Sequence, residues 1–144
     1  MVEKVVEETV GKRFDFWQDH SVNYLEMAFA TTNTEVVDNS DGYGKRTGEC
    51  GDTVEIYLDV EGGRIKWVSY ATDGCMNTDA CANTVAFMAQ GRSIAQGWEI
   101  THEDVIAYLG TLPVSKHHCA ELTVGAFYLA LTDLKNKGFC DSDD

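Results

Sequence analysis

Residues 53–71, "TVEIYLDVEGGRIKWVSYA", decide the fold that the sequence predicts. Apolar and polar residues alternate through 53–60 and again through 64–71, as they do in strands that bury one face. The segment Glu61-Gly62-Gly63 between them has the composition of a tight turn, so the two strands are predicted to form a β-hairpin. Because two strands alone are only marginally stable in water, helices must cover the apolar face of this hairpin.

Segments with apolar residues at helical spacing flank the hairpin on both sides. The first has its stripe at Phe14, Trp17, Tyr24, Leu25 and Ala28. Helices are also predicted over 75–90, within 93–98, over 101–109 and from 118 to about 137. The turn-forming residues of 31–51 predict a long loop with room for one short strand. The expected fold is α+β, with a small antiparallel sheet of two to three strands, helices on one side of it and a long C-terminal helix.

The length and composition predict one domain. A chain of 144 residues with 44% hydrophobic content can bury one real core. The domain is expected over 14–138, with a mobile acidic extension over 1–13 and a disordered acidic tail over 139–144. The net charge of -13 disfavours nucleic acid and anionic membranes as partners. The opening "MVEKVVEETV" is not a secretory signal, so a cytoplasmic protein is expected.

Five cysteines, an odd number without a secretory signal, favour reduced thiols over a disulfide framework. Cys50, Cys75 and Cys119 all stand at predicted junctions between elements, the last two at helix starts, where unpaired amide groups favour the thiolate. Cys81 shares a helical stripe with apolar residues and is predicted to be a core thiol. Cys140, in the acidic tail, is an incidental exposed thiol or the remainder of a further domain.

Two further metal-binding residue types adjoin these cysteines, Asp52 beside Cys50 and His118 beside Cys119. The spacing is not a metal signature by itself, because the sequence contains no C-x-x-C pair and the segments are far apart. Each residue also has an ordinary structural interpretation. A cysteine can fill space at a helix start, His118 can cap a helix, and Asp52 can be a turn residue.

Three segments together resemble a known family, the scaffold proteins for iron-sulfur cluster assembly. The segments "GECGD" (48–52), "GCMNTDACANTV" (74–85) and "LPVSKHHCAELTVGAFYLAL" (112–131) are similar, in the same order, to that family's Cys-Gly-Asp, Gly-Cys and Leu-Pro-x-x-Lys-x-His-Cys segments. The resemblance spans about residues 14–137. It is nearest to the N-terminal scaffold module of nitrogen-fixation-type proteins.

The resemblance implies one partly exposed site that binds a transient 2Fe-2S cluster, iron or zinc, formed by Cys50, Asp52, Cys75, His118 and Cys119. It also implies a scaffold rather than an enzyme, with a cysteine desulfurase and apo iron-sulfur acceptor proteins as partners. Thiolates suit iron, whereas a carboxylate or imidazole is a poorer fourth ligand, which makes the site easier to empty. Cys119 is the expected acceptor of desulfurase sulfur, although spacing does not select it among the three thiols.

The sequence leaves two other functions open. The first is a zinc-bound accessory or regulatory partner of a desulfurase, which would use the same ligands. The second is a thiol oxidoreductase, which is disfavoured because Cys75 and Cys81 do not form a C-x-x-C pair.

One departure from the family concerns a chaperone. The housekeeping members carry Leu-Pro-Pro-Val-Lys, the segment read by an Hsp70-type chaperone, whereas residues 112–116 here are Leu-Pro-Val-Ser-Lys. Binding of such a chaperone is therefore expected to be weak.

Overall fold

A three-stranded antiparallel sheet and five α-helices make up residues 19–139, the part of the chain that the computed structural model describes. A short 3₁₀ turn, Val114–Lys116, precedes the last helix. The predicted α+β class, small antiparallel sheet and long C-terminal helix are confirmed. In chain order the elements are α1 (Val22–Phe29), β1 (Gly42–Thr47), β2 (Thr53–Glu61), β3 (Arg64–Thr72), α2 (Met76–Ala89), α3 (Ile94–Gly97), α4 (His102–Leu109) and α5 (His117–Asn136).

Several predictions concern residues outside the described range. These are the acidic extension 1–13, the first residues of the first predicted helix (14–18), and residues 140–144 of the tail, which include Cys140. Phe139, the last described residue, packs against the core.

The predicted hairpin forms from β2 and β3. Ile56 lies opposite Tyr70 and Leu58 lies opposite Val68, and all four side chains are buried in the core. The turn between the strands has positive φ angles at Gly62 and Gly63, 62° and 77°, a conformation that glycine adopts without strain. The alternating pattern in the sequence therefore corresponds to one core-facing side of the hairpin.

Strand β1 lies inside the segment that the sequence predicted to be mainly loop. It pairs antiparallel with β2, and its glycines have a packing role that turn composition does not reveal. A Cβ on Gly44 would clash with the carbonyl oxygen of Ala126 in α5, and a Cβ on Gly42 would lie 2.8 Å from that of Ala130. Glycine is required here because the helix backbone approaches the strand this closely.

Helices α5 and α2 cover the sheet and build the core. Helix α5 packs on β1 and β2, and α2 packs on β3, α1 and α5. Full burial of a leucine, isoleucine or phenylalanine contributes about 1.5–3 kcal/mol. Helix α4 begins with the predicted capping pair, Thr101 and Asp104. Within residues 19–139, none of the helices combines the length and apolar character that crossing a membrane requires.

Candidate metal centre

Three junctions between elements meet at one end of the sheet. The β1–β2 turn carries Asp52, the start of α2 carries Cys75, and the first turn of α5 carries Cys119. The first two adjoin because Val54, near the start of β2, pairs with Thr72 at the end of β3, and α5 packs against both α2 and β2. Among the described residues, one ligand atom from each of Asp52, Cys75 and Cys119 lies within 4.8 Å of the others. We call these three residues the donor cluster.

The β1–β2 turn is closed by its own backbone. The amide of Gly48 donates to the carbonyl oxygen of Asp52 at 2.9 Å, and the amide of Gly51 donates to that of Gly48 at 3.0 Å. Gly51 has a φ of 95°, which few other residue types adopt. This glycine lets the chain reverse between Cys50 and Asp52, so the two side chains belong to one tight turn.

The three donors differ in exposure and in acidity. Cys75 is exposed, Asp52 is half-buried and Cys119 is buried, so the donor cluster opens to solvent beside Cys75. Partial burial opposes ionisation of Cys75, but hydrogen-bond donors on Thr78 and Asn77 outweigh it, and the net pKa of the thiol is lowered. Burial raises the pKa of Cys119, and the hydroxyl of Thr78 partly offsets this effect.

The two other predicted ligands lie beside the donor cluster. His118 is exposed, and its Nε2 is 3.7 Å from Cys119 Sγ. The thiol of Cys50 is exposed and does not belong to the donor cluster among the described residues. An open cleft of about 540 Å³ joins the two, lined by Arg46, Gly48, Glu49, Cys50, His118, Glu121 and Leu122. The structure thus brings three of the five predicted residues together, keeps His118 in contact with one of them, and leaves Cys50 in the adjoining cleft.

Three residues that sequence reasoning did not select complete the surroundings. The hydroxyl of Thr78 is 3.3 Å from Asp52 Oδ2 and 3.5 Å from Cys119 Sγ, and Asn77 donates to Cys75 Sγ at 3.5 Å. A Cβ on Gly74 would lie 2.6 Å from the Thr78 hydroxyl. The available signal was the position of Thr78, about one helical turn after Cys75. By contrast, Cys81 is fully buried in the core, as predicted.

The donor set of the cluster fits a transition metal. Thiolates and imidazole are ligands for iron and zinc, and a carboxylate is a harder and weaker partner for iron-sulfur units. Two thiols and a carboxylate converge, with an imidazole adjacent and a further thiol on the neighbouring turn. An arrangement of this kind can bind a metal ion or a small metal-sulfur unit at an accessible position.

Comparisons with known proteins identify similar sequences over most of the chain. The profile of the family described as the NifU-like N-terminal domain matches residues 23–141. The chain is 33% identical over 106 residues to the iron-sulfur cluster assembly scaffold protein IscU 1 of Archaeoglobus fulgidus, covering 73% of this chain and 69% of that protein. It is 25% identical over 135 residues to the nitrogen fixation protein NifU of Trichormus azollae, covering 88% of this chain but only 45% of NifU.

A solved structure also shares the fold. The N-terminal part of a nitrogen-fixing NifU-like protein from Brucella abortus superposes with a TM-score of 0.67 and 16% sequence identity, covering 82% of this chain and 95% of that one. At this identity the likeness concerns the arrangement of strands and helices alone.

Proposed function

The chain belongs to the family of NifU-like N-terminal domains, and from this membership we propose that it is a scaffold on which an iron-sulfur cluster is assembled and from which it passes to acceptor proteins. The observation that carries the proposal is the convergence of Asp52, Cys75 and Cys119, which are far apart in sequence. Two free thiols and a carboxylate that meet at an edge open to solvent form a donor set that suits iron.

The cargo is an iron-sulfur cluster of the 2Fe-2S type. Its proposed ligands are Cys50, Asp52, Cys75 and Cys119, with His118 beside them. Cys50 is exposed on the turn that also carries Asp52, and it completes the set by moving toward the donor cluster. Mixed ligation by thiolate and carboxylate holds the cargo less firmly than four thiolates do. This suits a protein that must release what it binds.

Sulfur reaches the site from a cysteine desulfurase, and we assign Cys119 as its acceptor. An enzyme persulfide, R-S-SH, exchanges with the Cys119 thiol to give R-SH and Cys119-S-SH, so that one S-S bond breaks, one forms and no external oxidant is needed. In the structure Cys119 is fully buried. The exchange therefore requires the start of α5 to move, whereas Cys75 is exposed without such movement.

The experiment that tests the proposal is anaerobic reconstitution of the full chain with iron, cysteine and a desulfurase. Stoichiometric iron and sulfide, with the absorption and Mössbauer spectra of a 2Fe-2S unit, are expected. Transfer to an apo-ferredoxin then tests release. If iron and sulfide are not retained above the level of a Cys75→Ser variant, the scaffold function is wrong.

A second candidate function rests on the same donors. Two thiolates, a carboxylate and a nearby imidazole also suit a tetrahedral zinc site, which would make the protein a zinc-bound accessory partner of a desulfurase. Metal analysis after anaerobic purification separates the two functions. Zinc alone, together with stimulation of desulfurase turnover but no cluster, would favour the accessory role.

A further inference from the structure

Thr78 occupies a central position in the site, although neither motif nor family membership assigns it a role there. The side chain is fully buried, and its hydroxyl lies within hydrogen-bond distance of two donor-cluster atoms, Asp52 Oδ2 at 3.3 Å and Cys119 Sγ at 3.5 Å. A hydroxyl has one proton to donate, so the two acceptors share it. The contact joins two residues that come from different elements and are 67 positions apart in the sequence.

Asn77 holds the third member of the donor cluster. Its amide nitrogen donates to Cys75 Sγ at 3.5 Å, while its amide oxygen accepts from the hydroxyl of Tyr24 at 2.6 Å. Tyr24 is itself buried and stacks on His20 with 3.8 Å between ring centroids. The buried hydroxyl therefore fixes which end of the amide faces the sulfur.

Gly74 shows how tightly this region is packed. A Cβ at this position would lie 2.6 Å from the Thr78 hydroxyl and 3.0 Å from Asp52 Oδ2. Any side chain would push these two groups, which are hydrogen-bonded to each other, out of their present positions. The residue before Cys75 must therefore be glycine for the Thr78 contacts to exist.

We infer that Thr78 and Asn77 are positioning residues: Thr78 holds Asp52 and Cys119 together, and Asn77 fixes the thiol of Cys75 beside them, before a metal arrives. Thr78 bridges Asp52 and Cys119, while Asn77 connects Cys75 to Tyr24. Without these donors the three ligand groups would repel one another once ionised, and each would keep its own rotamer freedom. Donated hydrogen bonds reduce both costs. The inference rests on the proposed function only for the identity of the cargo, because preorganisation of the donor cluster would strengthen the binding of any thiophilic metal.

The test is cobalt(II) binding by the full chain, purified without metal and followed by thiolate-to-cobalt absorption against a competing chelator. Thr78→Val removes the hydroxyl at nearly constant volume, and Thr78→Ser restores it. Loss of a group that orients a metal ligand lowers metal affinity by about 10–100-fold, so Thr78→Val is expected to bind cobalt at least about tenfold more weakly. Thr78→Ser is expected to remain close to the unmodified chain.

The matched control is Thr84→Val in the same helix. Thr84 is also fully buried, but its hydroxyl donates only to the carbonyl oxygen of Ala80, at 2.8 Å. Its replacement should leave cobalt affinity unchanged. Asn77→Ala provides a second test, at a residue that is less buried, in case Thr78→Val does not fold, and it too should weaken binding.

The inference is overturned if Thr78→Val folds and binds cobalt as tightly as the unmodified chain, if Thr78→Ser is as weak as Thr78→Val, or if Thr84→Val loses as much affinity. If Thr78→Val does not fold, unchanged affinity in Asn77→Ala overturns it instead. Absence of cobalt binding by the unmodified chain would overturn both the inference and the proposed site. The scaffold function fails separately, if cobalt binding responds as expected but the chain retains no iron and sulfide.

Discussion

Asp52→Ala separates a role in cargo release from a role in the β1–β2 turn. In the proposed function the carboxylate of Asp52 is the weakest ligand of the iron-sulfur cluster, and an incoming acceptor thiol displaces it first. Without it the cluster is held by thiolates and the nearby imidazole, which iron prefers. The variant should therefore assemble a cluster but release it more slowly, and slowing of about tenfold corresponds to ~1.4 kcal/mol in the barrier to transfer.

The structure limits the cost of this substitution to the fold. The turn is closed by the backbone carbonyl of Asp52, which accepts from Gly48 at 2.9 Å and is retained in alanine. The side chain loses one long hydrogen bond, 3.3 Å from Thr78, and Thr78 keeps Cys119 as its other acceptor. A loss of about 1 kcal/mol is expected, which lowers the melting temperature of a domain of this size by about 3–6 °C.

The assay follows the decay of scaffold-bound cluster absorbance after addition of an apo-ferredoxin, with a thermal melt of the metal-free protein alongside. Asp73→Ala is the matched control. Asp73 Oδ1 accepts from the amide of Thr53 at 2.6 Å, so this carboxylate supports the same end of the sheet but lies outside the donor cluster. The control should lower the melting temperature more than Asp52→Ala and leave transfer unchanged.

Two results would refute the reasoning. Faster transfer from Asp52→Ala would mean that the carboxylate holds the cluster in place rather than easing its release. Unchanged transfer together with a melting temperature lowered by more than about 10 °C, which is beyond the loss of one hydrogen bond, would make Asp52 a turn residue.

Three further predictions concern the thiols, the chaperone segment and the sheet. Replacing Cys50, Cys75 or Cys119 singly by serine should abolish stable loading of the iron-sulfur cluster, as measured by absorbance. Cys81→Ser should load normally if it folds. An Hsp70-type chaperone specific for Leu-Pro-Pro-Val-Lys should bind this protein weakly in a fluorescence titration. The reasons are that residues 114–116 form a 3₁₀ turn and that one rigid proline is missing. Tight binding that is lost in Lys116→Ala would contradict this prediction. Gly44→Ala should lower the free energy of unfolding, measured by urea denaturation, by about 1–3 kcal/mol, because its Cβ would meet Ala126 in α5. An unchanged urea midpoint would be inconsistent with this packing.

Sequence reasoning predicted the elements whose pattern is local. Alternation identified β2 and β3, and helical spacing together with the capping pair at Thr101 and Asp104 identified α4. It did not predict the full extent of β1, because Gly42 and Gly44 look like loop residues unless the approach of α5 is known. A glycine required by a distant backbone and one required by a turn are indistinguishable in a single sequence.

The residues of the candidate site also fall into a group that the sequence predicted and a group that it did not. Junction cysteines with a neighbouring carboxylate and imidazole were visible in the sequence, and resemblance to a family joined them into one site. Thr78 and Asn77 were not found, because the face that each presents depends on the position of α2 relative to the other elements. The contacts of Thr78 to Asp52 and Cys119 are long-range, and only the packed structure brings these atoms together. The contact of Asn77 to Cys75 is local, but the orientation of its amide depends on the distant Tyr24.

Because the residues of the donor cluster come from three separate junctions, they need not let go of an iron-sulfur cluster at the same time. Cys75 and Cys119 stand at the starts of α2 and α5, which pack against each other, and Thr78 in α2 bonds to the Cys119 sulfur. Asp52 belongs to a turn that is closed by two backbone hydrogen bonds and contains a glycine in the left-handed region, Gly51. Opening the turn breaks these backbone hydrogen bonds and the contact of Asp52 with Thr78, but it leaves the packing of α2 against α5 in place. If the protein is a scaffold, release begins on the side of Asp52 and Cys50, and the two thiols at the helix starts are the last to give up the cluster.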